Sequence, residues 1–427
     1  MEGLNKSFKK FLLLWSGELI SAIGSGLTSF GLGIYVYQQT GRVSSTALIT
    51  LLAFLPSLLL SPIAGVLADR YDRRLLMILG DSLSALGLIY ILICMINGEA
   101  TLYPIAIGIT ISSIFSSLLE PAYKATITDL LTKEEFSKAS GLVQIAGSSK
   151  FLISPILAGF LLSFSNIKLL LIIDICTFFV TVTATLIVRK GLQSKAIEKK
   201  ESLTSEFKEG LKAITSNKGI FTLVILGSIL TLCLGIIQTL ATPMILSFSN
   251  ATTLGVCETI CGTGMLVSSV IIGMISIKKG YSKILSISLF MTGTFMAIFG
   301  LRENIILISI AGFLFFATLP FANTSIDVLI RSNIPNEVQG RAWGLIGLIS
   351  QLGYVIAFGF VGIISDNIFN PMLTEGGILA NNIGKIIGTG TGRGTGLLII
   401  IAGIILSITA IILYSIKSIR KLEDQYV

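Results

Sequence analysis

The sequence predicts an all-α membrane protein with twelve transmembrane helices, arranged in two six-helix bundles with pseudo-twofold symmetry. Three observations predict this class. Of the 427 residues, 53% are apolar and only 13% are charged, which is too little charge to cover a water-soluble surface of this size. The apolar residues form long runs that short charged segments separate. The two halves of the chain also carry similar short segments at matching positions.

Twelve apolar runs are long enough to cross a bilayer, which takes about 20 helical residues. In the segment between the sixth and seventh runs, apolar residues recur at helical spacing from Leu203 to Ile214, so we expect an amphipathic helix there. The predicted domains are an N-terminal six-helix bundle (1–189), a cytoplasmic linker (190–217) and a C-terminal six-helix bundle (218–427). In chain order, the predicted spans are 11–37, 45–68, 74–96, 101–124, 138–164, 167–189, 218–246, 252–276, 282–301, 304–329, 339–366 and 395–417.

The sequence similarity between the halves lies just before the fifth and eleventh spans. Leu-Thr-Lys-Glu at 131–134 precedes Gly141, and Ile-Pro-Asn-Glu at 334–337 precedes Gly344 at the same spacing. Internal repeats of this kind are a common way of building membrane folds. They favour two bundles of equal size over a single irregular array of helices.

Lysine and arginine residues are unevenly shared between the two sides of the predicted spans. Of the 31 Lys and Arg residues, one (Lys150) lies within a helix, 25 fall on the side of the N-terminus and five on the other side. Because cytoplasmic loops are enriched in these residues, we expect both termini in the cytoplasm and a multi-pass protein of the cell membrane. The five residues on the outer side are Arg42, Lys168, Arg302, Lys385 and Arg393.

The composition argues against several functional classes. The chain has no histidine, and its five cysteines lie in apolar runs without a CxxC pair, so we expect no metal site, no disulfide framework and no enzyme activity. The net charge of +8 is spread over short loops instead of one face, so we expect no nucleic-acid partner. No cofactor is expected either.

The sharpest local motif is Gly-Val-Leu-Ala-Asp-Arg-Tyr-Asp-Arg-Arg at 65–74, between the second and third spans. It resembles the loop signature of the major facilitator superfamily. A glycine lets two helices approach closely, and Asp69 can accept hydrogen bonds from Arg73 or from a helix N-terminus, which would latch one conformation. Alternatively, the arginines are ordinary positive-inside anchors. The expected switch-loop residues are Gly65, Asp69, Arg70, Arg73 and Arg74.

Further segments resemble the macrolide-efflux-like, drug:proton antiporter group of that superfamily over essentially the whole chain. They are 15–18, 37–41, 335–341, Phe369, Pro371 and 388–394. In the fifth span, Ser154, Pro155 and Gly159 resemble an exporter motif, although Ser154 stands where the motif has glycine. The alternative is a kinked packing seam of small residues.

Ionisable residues within membrane spans are costly and usually face a cavity. Glu18, Glu258, Asp174 and Lys150 are the candidates for proton coupling, with Glu18 first because serines follow it along one helix face. For Lys150 and Asp174, a structural pair is the alternative. Asp81 and Glu120 suit a structural or gating role. Hydrogen-bonding groups for a central cavity are expected from Ser21, Ser25, Gln144, Gln238, Asn323, Gln351 and Tyr354.

The resemblance implies secondary active export of an amphiphilic or hydrophobic small molecule by proton antiport with alternating access. The expected partners are that substrate, protons and the lipid bilayer, and we expect a monomer. Three alternatives remain open: an exporter of one endogenous metabolite, such as a siderophore or peptide; an importer; and a transport-dead membrane sensor or scaffold.

Overall fold

The computed structural model describes residues 6–98, 100–132, 134–189, 203–275 and 279–424. In this part of the chain the regular secondary structure is helical throughout, and twelve helices are long and apolar enough to cross a membrane. The all-α class and the twelve spans predicted from the sequence are therefore confirmed. The helices divide into two compact units: unit 1 holds the described residues up to Arg189 except 42–47, and unit 2 holds 42–47 and the described residues from Leu203 onward.

Unit 1 contains six spans, two of which are broken into shorter helices. Buried glycines let helices pack closely within the unit: a Cβ placed on Gly87 would lie 2.2 Å from the carbonyl oxygen of Gly108, as small residues allow in membranes. The helices are α1 (Lys6–Thr40), α2 (Val43–Arg70, whose first turn belongs to unit 2), α3 (Arg73–Ile96), α4 (Leu102–Ser116), α5 (Leu119–Leu130), α6 (Phe136–Leu152), α7 (Ser154–Phe164) and α8 (Ile167–Arg189).

Both breaks in unit 1 precede a proline. Pro121 lies in the first turn of α5, and Pro155 lies in the first turn of α7, where proline is tolerated because these N–H groups have no helical partner. The fourth span runs to Leu130, six residues beyond the predicted end. The sequence placed that end too early because the charged residues after Pro121 read as a loop.

Unit 2 contains the other six spans and two short amphipathic helices. The helices are α9 (Leu203–Thr215), α10 (Lys218–Leu246), α11 (Ala251–Met274), α12 (Tyr281–Phe299), α13 (Ile305–Arg331), α14 (Asn336–Ile356), α15 (Gly362–Ile364), α16 (Asn370–Leu373), α17 (Ile383–Ile387), α18 (Arg393–Ser415) and α19 (Lys417–Asp424).

The eleventh span is longer than predicted and contains two π-helical segments, Ala357–Val361 and Ser365–Phe369. It continues to Leu373 instead of ending at Asp366. The polar residues near its end suggested a loop, but their side chains are used inside the unit. The Asn370 carboxamide oxygen, for example, accepts a hydrogen bond from the backbone N–H of Thr395 at 3.1 Å.

Helix α9 lies in the segment expected to join the two bundles, and it packs against α14. A Cβ placed on Gly210 would lie 2.9 Å from the carbonyl oxygen of Arg341, and the Arg341 guanidinium pairs with Glu209. Ile214 is buried while Leu211 is exposed. Helix α9 therefore packs on α14 of the same unit through one face.

The C-terminal helix α19 caps another helix of unit 2. The Glu423 carboxylate accepts hydrogen bonds from the backbone N–H groups of Gly280, Tyr281 and Ser282, which begin α12, and from the Ser282 hydroxyl. Partial burial acts to raise the pKa of this carboxyl, but these hydrogen bonds outweigh it, so the pKa lies below its usual value near 4.5.

Replacing Glu423 with Gln is expected to destabilise unit 2 by about 1 kcal/mol, the usual value of a lost helix cap. Because the folded-state pKa is lowered, the stabilisation is present above the unfolded-state pKa and is lost as pH falls through the folded-state value. Thermal stability in detergent measured at pH 7 and near pH 3 tests this. The difference between wild type and Glu423→Gln should shrink at the lower pH, and an equal difference at both would contradict the cap.

Candidate functional site

Helix α1 presents a polar face inside unit 1. Ser21 is buried, while Glu18 and Ser25, three and four residues away, are half-buried. The helix lies close to α8, because a Cβ placed on Gly24 would meet an Asp174 carboxylate oxygen at 3.0 Å. The expected cavity-lining stripe of α1 and the candidate carboxylate of α8 are thus brought together.

Asp174 is sealed within this cluster at 1% exposure. Its Oδ1 accepts a hydrogen bond from the Ser25 hydroxyl at 3.3 Å. Lys150, half-buried near the end of α6, acts on it electrostatically, but no N–O contact within 4 Å joins them among the described ion pairs. Lys150 and Asp174 therefore attract each other over a distance, without the direct ion pair that a structural role predicted.

The exporter-like motif of the fifth span forms a seam with α1. The Ser154 hydroxyl donates to the Ile23 carbonyl oxygen at 2.9 Å, and a Cβ placed on Gly26 would lie 2.2 Å from that hydroxyl oxygen. Pro155 and Gly159 are buried beside it. Any larger side chain at Gly26 would push α1 and α7 apart, so this motif fixes how closely the polar face of α1 approaches its neighbours.

The arginines of the 65–74 loop converge on one carboxylate. The Arg73 Nη1 lies 2.6 Å from Asp129 Oδ1, and the Arg74 Nη2 lies 3.4 Å from Asp129 Oδ2. Arg73 also donates to the carbonyl oxygens of Ala68 and Ala125. Asp129 was not anticipated from the sequence, although an acidic residue near the end of the fourth span, with an arginine-rich loop elsewhere in the same half of the chain, was the available signal.

The remaining loop positions are more open than expected. The Asp69 side chain is 57% exposed, and its Oδ1 lies 4.0 Å from Arg73 Nη2, which is a long distance for an ion pair. Arg70 is exposed as well. A Cβ placed on Gly65 would meet nothing within 4 Å. The close helix approach expected at Gly65 is not seen among the described residues, and the role of this glycine stays a prediction.

The other candidate polar residues occupy varied environments in their own units. Gln144 in unit 1 is exposed, as are Gln238 and Asn323 in unit 2, whereas Glu258, Gln351 and Tyr354 are half-buried. The Oε1 of Gln351 is sealed from solvent and has no hydrogen-bond partner among the described residues. Tyr354 stacks on Phe358 with ring centroids 5.5 Å apart, so the eleventh span carries both an aromatic surface and a buried carboxamide oxygen.

Asp366 is a second carboxylate that sequence analysis missed. It lies in the π-helical segment Ser365–Phe369, a kind of distortion often found at functional sites. Within unit 2, its oxygens accept hydrogen bonds from the backbone N–H groups of Val43 at 3.0 Å and Ser44 at 2.8 Å. These are free N–H groups at the start of α2, so a carboxylate there is stabilised by both hydrogen bonding and the helix dipole.

Known proteins with a similar sequence or fold include several transporters. Macrolide efflux protein A of Streptococcus pyogenes is 26% identical over 379 residues, which span 86% of this chain and 92% of that protein. A macrolide efflux protein A of Enterococcus faecalis is 26% identical over 312 residues, spanning 72% of this chain and 97% of that one. The crystal structure of the nucleoside transporter NupG covers 96% of this chain and 100% of its own, with a TM-score of 0.75 at 15% identity.

Twelve helices long and apolar enough to cross a membrane, with charged and hydrogen-bonding groups inside them, indicate a multi-pass membrane protein. The sequence profile of the Major Facilitator Superfamily matches residues 14–358. The chain belongs to that superfamily. It is therefore a transporter of small molecules, not an enzyme, and the resemblance seen in its loop motif is confirmed.

Proposed function

We propose that the protein exports an amphiphilic or hydrophobic small molecule, of the kind macrolides represent, by proton antiport with alternating access. The observation that carries the proposal is the half-buried carboxyl of Glu18 on the polar face of α1, in a unit that also seals Asp174 beside the same helix. A carboxyl at the border between water and a buried polar cluster can take up and release a proton as its access to water changes.

The proposed direction of transport and the proposed substrate class are supported by two relatives that are named macrolide efflux proteins. In the proposed cycle, a proton arriving from outside neutralises Glu18, and a substrate arriving from the cytoplasm favours its release. The aromatic pair Tyr354 and Phe358 offers a surface suited to the apolar part of such a substrate. We propose that the protein acts as a monomer.

Accumulation in an efflux-deficient bacterial host tests this function. Cells expressing the protein should hold less erythromycin and less ethidium than cells without it, and a protonophore should remove the difference. If neither compound accumulates less but the cells secrete a metabolite that they make, the endogenous-metabolite exporter is favoured. Increased accumulation would indicate an importer, and no change in any compound would favour a sensor or scaffold.

We also propose that both termini lie in the cytoplasm of a cell-membrane protein, from the uneven sharing of Lys and Arg. Single cysteines at the exposed residues Ser216 and Glu375, in a cysteine-free background, should then react oppositely with a membrane-impermeant maleimide. In intact cells, the cysteine at Glu375 should be labelled and that at Ser216 only after lysis. Labelling of Ser216 from outside would reverse the orientation.

A further inference from the structure

Helices α11 and α13 of unit 2 hold two cysteines against one serine. Cys257 and Cys261 lie four residues apart on α11, so both thiols face the same side of that helix. The Ser309 hydroxyl of α13 donates a hydrogen bond to the Cys257 sulfur at 3.3 Å, and the Cys261 thiol contacts the Ser309 carbonyl oxygen at 4.0 Å. Both cysteines are free, with only 1% and 4% exposure. Their common partner makes them a pair of neighbouring buried thiols.

An apolar groove of about 410 Å³ opens beside this pair of thiols. It lies between α11 and α13 and is lined by Ser309 itself, together with Ile260 of α11 and Phe313 of α13. Towards Gly312 the packing is closed, because a Cβ placed there would lie 2.2 Å from the Cys261 sulfur. The groove is therefore the open approach to the thiols, and its lining suits an apolar group.

Helix geometry disfavours a disulfide within this pair. Residues four apart on a helix have Cβ atoms about 5–6 Å apart, whereas a disulfide needs about 3.5–4.5 Å. A single larger atom can bridge the thiols, because bonds of about 2.3 Å to each sulfur, as in metal thiolates, allow the sulfurs to lie up to about 4.6 Å apart. The pair therefore suits one bridging atom that bonds strongly to sulfur.

The surroundings favour a neutral bridging group over a metal ion. In the described part of the chain, no group of three or more His, Cys, Asp or Glu side chains is placed to hold a metal. A metal ion held by two thiolates would also bring charge next to an apolar groove. A trivalent arsenic atom that carries an aryl group is uncharged once it has bound two thiols, and its aryl group can occupy the groove.

We propose that Cys257 and Cys261 form a binding site for trivalent arylarsenicals. Binding is a condensation without a change of oxidation state. In the hydrated form of phenylarsine oxide, two As–O bonds break and two As–S bonds form, and each hydroxide leaves as water with the proton of one thiol. Neither an oxidant nor a reductant is needed, so a competing dithiol should reverse the reaction. The inference is independent of the proposed export activity.

Mass spectrometry of the folded protein in detergent tests the site, with phenylarsine oxide as the probe. One equivalent should bind, map to a peptide of α11, resist a monothiol and leave when a small dithiol is added. Cys257→Ser and Cys261→Ser should each lose this equivalent. Cys233→Ser is the matched control, because it removes a buried cysteine of α10 and should bind as wild type does.

Ile260→Trp tests the part played by the groove, since a larger side chain there would fill the space that the phenyl group occupies. Its affinity for phenylarsine oxide should fall by about tenfold or more, as expected when one ring is no longer buried. Its affinity for arsenite, which has no aryl group, should stay as in wild type. An unchanged affinity for phenylarsine oxide, or an equal loss for both probes, would contradict the role of the groove.

One equivalent retained by Cys257→Ser, or an adduct on other cysteines, would overturn the site. Displacement of phenylarsine oxide by Zn²⁺ would overturn the choice of a neutral ligand. If the serine variants cannot be recovered folded, wild type decides through alkylation with N-ethylmaleimide after unfolding in detergent. Protection of Cys257 and Cys261 by phenylarsine oxide, with Cys176 alkylated, supports the site, and alkylation of all three contradicts it.

Discussion

Glu18→Gln is expected to abolish uphill export while leaving substrate binding and exchange intact. Glutamine has nearly the size of glutamic acid and imitates its protonated form permanently. The half-buried position of Glu18 on the polar face of α1 allows either form to be accommodated, so we expect normal folding. Without a proton to release, however, the cycle cannot draw on a pH gradient, and gradient-driven erythromycin transport should fall to the level of protein-free vesicles.

Glu258→Gln is the matched control for Glu18→Gln. Glu258 is also half-buried, but it lies on α11 of unit 2. Both variants should be measured for gradient-driven transport and for exchange of labelled against unlabelled erythromycin at equal pH. Full gradient-driven transport by Glu18→Gln, together with its loss in Glu258→Gln, would move the coupling site to unit 2. Full activity of both would leave neither glutamate as the coupling group.

Asp129→Asn should be the most destabilising change in the 65–74 loop region. It removes the carboxylate that Arg73 and Arg74 share, and the Arg74 side chain is only 2% exposed. Removing this carboxylate weakens the compensation of a buried arginine charge, and we expect a loss of about 2–3 kcal/mol in the free energy of unfolding. Asp129 itself is a third exposed, which keeps the value below that of a fully buried pair.

Asp69→Asn is the contrasting variant, because Asp69 is largely exposed and its ion pair in the described part of the chain is a 4.0 Å contact with Arg73. Exposed ion pairs contribute about 0–1 kcal/mol, so its stability should match that of wild type. Size-exclusion chromatography of detergent-solubilised samples after stepwise heating compares the variants. A melting temperature for Asp129→Asn equal to that of Asp69→Asn would contradict the structural role given to Asp129.

The positions of the spans were predictable because they depend on local properties. Long apolar runs and a bilayer of fixed thickness determine the helices, and the internal repeat indicates two sets of six. Errors occurred where polar residues lie inside a helix, as at Asp366. Its side chain is satisfied by backbone N–H groups at the start of α2, a contact more than 300 residues distant along the chain that local patterns do not reveal.

The candidate site was less predictable, because it depends on which helices are neighbours. Glu18 and Asp174 could be singled out as costly intramembrane groups, but the serine that bonds Asp174 comes from another helix. Asp129 could not be matched to Arg73 and Arg74 without knowing that the C-terminal end of α5 meets the loop.

Transport driven by an imposed pH gradient is the most direct test of proton-coupled export. Proteoliposomes containing the wild-type protein, with the membrane potential clamped at zero by potassium and valinomycin, would be given an internal pH below the external pH. The account predicts that erythromycin accumulates beyond the level in protein-free liposomes given the same gradient, and that protons leave as it enters. Accumulation that matches the protein-free level, or that persists without a gradient, would contradict it.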